Sequence, residues 1–119
     1  MSVIFKLNDS FFNTGTLNAV LGSVNHTNGA AIVLFVSGKP DGVEENVTEA
    51  QSTYLNRLLS DEGFVSTGDF ALVNTSLIAK ADEGYDFLVS FPDGFSLQGG
   101  GLGADDPLYR FLHTAETIS

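Results

Sequence analysis

Residues Ser2 to Leu7 alternate in character, with Val3, Phe5 and Leu7 on one side, and predict a strand. Thr16 to Val24 carries Leu17, Val20, Leu21 and Val24 at helical spacing. Its look-alike further on, Asp69 to Ala79, is richer in strand-forming residues, so both segments are assigned as strands. Ala30 to Ser37 is the most apolar run and is predicted to be a central strand. Tyr85 to Phe91 sets Tyr85, Phe87, Val89 and Phe91 on one face of another. Turns are expected at His26-Thr27-Asn28-Gly29 and Ala81-Asp82-Glu83-Gly84. Pro-Asp-Gly triplets at Pro40–Gly42 and Pro92–Gly94 mark two more, because Pro presets φ and Gly accepts the left-handed region.

Two helices follow from end signals. Thr48 with Gln51 three residues later forms a capping box, and Tyr54, Leu55, Leu58 and Leu59 give an apolar stripe that stops at Gly63. Asp106-Pro107 is an N-cap followed by a first-turn proline, opening a shorter apolar face of Leu108, Phe111 and Leu112. The tail from Thr114 to Ser119 is expected to fray or to pair at a sheet edge.

The chain resembles itself. Phe11, Thr14, Gly15, Val20, Ser23, Val36, Ser37, Arg57 and Leu59 recur as Phe64, Thr67, Gly68, Val73, Ser76, Val89, Ser90, Arg110 and Leu112, an offset of 53; the Pro-Asp-Gly triplets match at 52. Such self-similarity predicts one domain, 1–119, made of pseudo-repeats 11–59 and 64–112, in the order β-ββα-ββα. That order is a cyclic shift of the ferredoxin-like layout. The expected class is α+β: a mostly antiparallel sheet with both helices on one face.

Composition agrees with a single packed domain: 43% of the 119 residues are hydrophobic and ten are Phe. The longest apolar run, Ala30 to Val36, is too short for a bilayer. The first residues lack the basic start and apolar core of a signal peptide, which suggests a cytoplasmic or virion location. There is no cysteine, so disulfides, thiolate chemistry and Cys-based zinc sites are excluded. The Asn-x-Ser/Thr matches at Asn8, Asn25, Asn46 and Asn74 read as polar composition. Fifteen acids face five cations, Lys6, Lys39, Arg57, Lys80 and Arg110, for a net charge of −10. On that balance direct nucleic-acid binding and adsorption to anionic membranes are not expected.

Candidate chemistry is sparse. The Gly99–Gly103 run, broken only by Leu102, lacks the Lys-Ser/Thr that completes a phosphate loop; Ala104-Asp105-Asp106 follows, and two carboxylates repel phosphate. Asp41, Glu44 and Glu45, Asp61-Glu62 and Asp105-Asp106 are acidic clusters without calcium-loop spacing. Asp41 and Asp93 are the best-matched carboxylate pair, for which a role in the turns suffices. His26 and His113 stand apart, one in a turn and one at a helix end. Arg57 and Arg110 are read as ion-pairing or snorkelling side chains, the sharper alternative being equivalent anchors on two binding surfaces. No catalytic, cofactor or metal residue is assigned.

With no catalytic set, the sequence points to a non-enzymatic binding or assembly module. Its polar, Phe-rich, Lys-poor composition is similar to that of small virion structural or accessory proteins, and a homo-oligomer or a protein partner is expected. The alternatives are a small acidic inhibitor filling the basic groove of a nucleic-acid-binding partner, and an enzyme with a cryptic carboxylate site.

Overall fold

The first turn of the chain is built by Asn8, which takes a positive φ of 54° and lets Ile4–Leu7 (β1) fold back on Ser10–Asn13 (β2) as an antiparallel hairpin. A 3-10 turn over Thr14–Thr16, capped by the Asn13 side chain, leads into Leu17–Leu21 (β3). Ala30–Val36 (β4), Val43–Val47 (β5) and the helix Glu49–Asp61 (α1) follow. Next come Phe64–Thr67 (β6), Ala71–Asn74 (β7), a second Asn-capped 3-10 turn at Thr75–Leu77, and Lys80–Asp82 (β8). Asp86–Ser90 (β9), Ser96–Gly100 (β10) and the short helix Pro107–Leu112 (α2) complete the chain. The computed structural model describes residues 2–22, 30–68 and 71–118; the turn expected at His26–Gly29 lies outside them.

The fold is α+β, with antiparallel sheets and two helices. The strands of the described residues divide among three sheets: a pair β1-β2, a five-stranded sheet in the order β5-β4-β3-β7-β6, and a three-stranded sheet β10-β9-β8. The centre of the large sheet is the β3–β7 pair, where Ala19 faces Val73, Val20 faces Leu72 and Leu21 faces Ala71. Ala30–Val36, expected to be central, is the other neighbour of the middle strand β3.

Adjacent residues of a strand point to opposite faces, and here both faces are packed. Leu72, Val20, Leu34 and Phe64 share one apolar cluster with Leu55 and Leu59 of α1 and with Leu7 and Phe12 of the hairpin. Val73, one residue past Leu72, joins a second cluster with Val89 and Phe91 of the small sheet and Leu108 of α2. The helices therefore lie on opposite faces of the large sheet. The expectation of one sheet with both helices on one face, and with it the ferredoxin-like layout, gives way to three layers. The reason is that β3 and β7 are apolar at consecutive positions, and a strand buried on both sides needs a cover on each.

Helix α1 starts where the capping box places it: Thr48 Oγ1 accepts from Gln51 N at 3.1 Å, and Gln51 Oε1 accepts from Thr48 N at 2.8 Å. Leu55 and Leu59 are buried, whereas Tyr54, grouped with them by spacing, is 68% exposed. At the foot of β7, the buried Asn74 donates from Nδ2 to the carbonyls of Thr14 and Leu17 at 3.0 and 2.9 Å, fixing the first 3-10 turn against the sheet.

Truncating Leu72→Ala is expected to destabilise the protein by about 2–5 kcal/mol, the range for a buried leucine that leaves a cavity. Exposed Phe11→Ala should cost far less. Chemical denaturation of the two variants checks both.

Candidate functional site

The two Pro-Asp-Gly turns come together at one end of the molecule. The β4–β5 connection reverses through Gly38, at φ 86°, and the β9–β10 connection through Gly94, at φ 94°. Gly42 serves differently: a Cβ there would overlap Val33 and press on the Phe35 ring. Phe35 in turn stacks on Phe95 with ring centroids 4.6 Å apart, which brings the large and small sheets into contact beneath the turns.

Asp93 joins the two turns. Its Oδ2 accepts from Gly38 N at 2.8 Å and from Asn18 Nδ2 at 2.9 Å, and its Oδ1 accepts from Phe95 N at 3.0 Å. The backbone N–H groups of Gly38 and then Phe95 hold its carboxyl below the usual carboxylate value, Asn18 adding to them. Asn18 is 1% exposed, and its Oδ1 has no hydrogen-bond partner among the described residues. The carboxylate fixes the orientation of that amide, since only the NH2 side can face it. Around this clamp the turns enclose an open cleft of about 380 Å³, lined by Gly38, Lys39, Pro40, Asp93, Gly94 and Ser96.

The duplicated aspartates thus part company. Asp93 bridges two sheets, while Asp41 is exposed in its turn. A second carboxylate forms a bridge elsewhere between the large sheet and the layer that covers it: Asp106 caps α2 through Leu108 N at 2.9 Å and accepts from Gly68 N at 2.9 Å and Thr67 Oγ1 at 3.2 Å. The glycine run does not form a phosphate cradle, because Gly99 and Gly100 belong to β10. Its packing explains one glycine: a Cβ on Gly99 would strike the Phe87 ring at 2.7 Å. Glu45 accepts from Asn8 Nδ2 at 2.9 Å. His113 stacks on Tyr109 and meets Glu83 at 2.8 Å; His26 lies outside the described residues. Arg110 pairs with Asp105 at 3.4 Å and Lys80 with Asp82 at 3.1 Å. Among the described residues Lys6, Lys39 and Arg57 form no ion pair, and no group of three or more His, Asp or Glu is placed to hold a metal. Among them, too, no helix is long and apolar enough to cross a membrane. Asn18, the buried member of the clamp, escapes sequence reasoning, although a lone amide inside Leu17-Asn18-Ala19-Val20 is the kind of signal that marks one.

No protein-family model and no curated protein matches the sequence. In fold the chain is similar to a LytTr DNA-binding domain from Bacillus cereus, with a TM-score of 0.53 at 13% identity, covering 94% of this chain and 92% of that one. The likeness is one of fold. It overturns the expectation of a binding or assembly module of virion type, with its homo-oligomer, and the inhibitor and cryptic-enzyme alternatives offered beside it. The neighbour is a DNA-binding domain by name, and nothing supports a virion location. The exclusion of direct nucleic-acid contact falls as well. It rested on net charge, and net charge bounds only the phosphate-neutralising part of DNA binding, not hydrogen bonding to base edges.

The Asp93 clamp has a pH signature. Because its folded pKa lies below the ordinary 3.8, its contribution is complete above 3.8 and is lost as pH falls through the lower folded value. Asp93→Asn is expected to lower the melting temperature at pH 7, and the gap from the parent protein should close as the pH drops below that range. Thermal melts across the acid range check this; a gap independent of pH would contradict it.

Proposed function

We propose that this chain is a DNA-binding module. One observation carries the proposal: its fold matches that of a LytTr DNA-binding domain over nearly the whole length of both chains. The charge then constrains how contact is made. A protein with ten excess negative charges draws little affinity from phosphate neutralisation, so neutral donors and acceptors on turns must contribute a large share. The end bearing the paired turns suits that role best. It carries Lys39, free of any ion pair among the described residues, beside the exposed backbone of Gly38 and Gly94 and the hydroxyl of Ser96. The one carboxylate lining the cleft, Asp93, already accepts three hydrogen bonds, which offsets its repulsion of a phosphate.

Selection from a randomised duplex pool at low salt, followed by fluorescence anisotropy on the enriched sequences, tests the proposal. The logarithm of affinity against the logarithm of salt should fall with a slope no steeper than about −3, as expected for roughly three phosphate contacts at ~0.9 each. Lys39→Glu should weaken binding at least tenfold, and Lys80→Glu, whose parent side chain is committed to Asp82, much less. Failure to enrich any duplex would overturn the proposal.

A further inference from the structure

The hairpin β1-β2 forms a sheet of its own, so among the described residues β1 has one strand neighbour and one open edge. The two-residue turn pairs Leu7 with Ser10, and Phe5 with Phe12 two steps on. In an antiparallel ladder these alternate pairs exchange the backbone hydrogen bonds, which leaves the N–H and C=O of Ile4 and Lys6 directed away from β2. The bond from Thr14 N to Val3 O, 2.9 Å, is in phase with that pattern. Between this edge and α1 runs an open groove of about 260 Å³. Three consecutive residues, Phe5, Lys6 and Leu7, line it, as when a strand presents its edge rather than one face; Tyr54, Leu55 and Leu58 form the helical side. An adjoining hollow shares Tyr54 and Leu58 and is bounded by Val3, Arg57, Asp61 and Glu62.

The groove is electrically polar. Lys6 stands at one end, its Nζ 5.5 Å from the centre of the Phe11 ring, and at the other Asp61 and Glu62 outnumber Arg57; Glu62 Oε1 is buried with no hydrogen-bond partner among the described residues. Tyr54, 68% exposed, leaves apolar surface along the rim. Duplex DNA fits poorly here, since its phosphates would meet Asp61 and Glu62.

We propose that this groove binds an extended peptide as an added strand on β1. Backbone hydrogen bonds to Ile4 and Lys6 supply the pairing, and an apolar side chain rests against Tyr54 and Leu58. An antiparallel strand, the stabler arrangement, meets Lys6 first and Asp61 and Glu62 last. The peptide it fits therefore carries an acidic residue followed, three to four positions later, by a basic one. Val3 and Lys6 are roughly 10 Å apart at ~3.3 Å per residue, which sets that spacing. The surface is distinct from the turn cleft assigned to DNA and does not depend on that assignment.

Fluorescence anisotropy with labelled Thr-Glu-Val-Thr-Val-Lys-Thr, against the same peptide with its Glu and Lys exchanged, tests the inference. The first is expected to bind at least tenfold more tightly, and its addition should slow amide exchange at Ile4 and Lys6. Ile4→Pro removes an edge N–H that the hairpin does not use, and should reduce binding at least tenfold. Should that variant fail to fold, Tyr54→Ala at the exposed rim should do the same through lost apolar contact. Equal binding of the two peptides, or bound peptide without slowed exchange at Ile4 and Lys6, would overturn it.

Discussion

The structure depends on two neighbouring strands that are buried on both faces. Ala19, Val20, Leu72 and Val73 are all between 0% and 2% exposed, although successive residues point in opposite directions. A strand of this kind has no wet side and must be covered twice. On one face the cover is α1 with the β1-β2 hairpin; on the other it is the three-stranded sheet with α2. Antiparallel pairing of Ala19 to Leu21 with Ala71 to Val73 supplies backbone hydrogen bonds at this centre, where water cannot.

Apolar layers slide unless something fixes their register, and two carboxylates do so here. Asp93 ties the small sheet to Gly38 and Asn18, while Asp106 ties the start of α2 to Thr67 and Gly68. Both use charge-assisted bonds to backbone N–H groups, which are directional as apolar contacts are not. Part of the acidic excess is thereby structural. The same arrangement holds the two reversing turns side by side and gives the end of the molecule that carries Lys39 a fixed shape.

Much of the local structure was legible. Thr48 and Gln51 announced α1, Asp106-Pro107 announced α2, and the runs at Ala30 and Tyr85 located β4 and β9 to within a residue or two. Two of the five-residue strands were not. Val43–Val47 contains Glu44, Glu45 and Asn46 in a row, and Ser96–Gly100 ends in two glycines, so neither shows the alternation of a half-buried strand. They are strands because β4 and β9 lie alongside and supply the hydrogen bonds. The division into sheets was equally hidden, because Leu72 and Val73 read as one apolar run until their covers are known. At the candidate site, the turn residues Pro92-Asp93-Gly94 were visible, but their bond to Gly38 spans 55 residues, and nothing local to either turn encodes it. Function was misjudged from a true observation: a charge of −10 constrains the strength of phosphate contact without deciding what the fold binds.

Native-state hydrogen exchange tests the central claim, a doubly buried β3–β7 pair, most directly. The amides of Ala19 to Leu21 and Ala71 to Val73 that pair within the large sheet should exchange only through global unfolding, more slowly than any in the β1-β2 hairpin. Exchange of those amides at the hairpin's rate, with the rest of the large sheet still protected, would contradict the account.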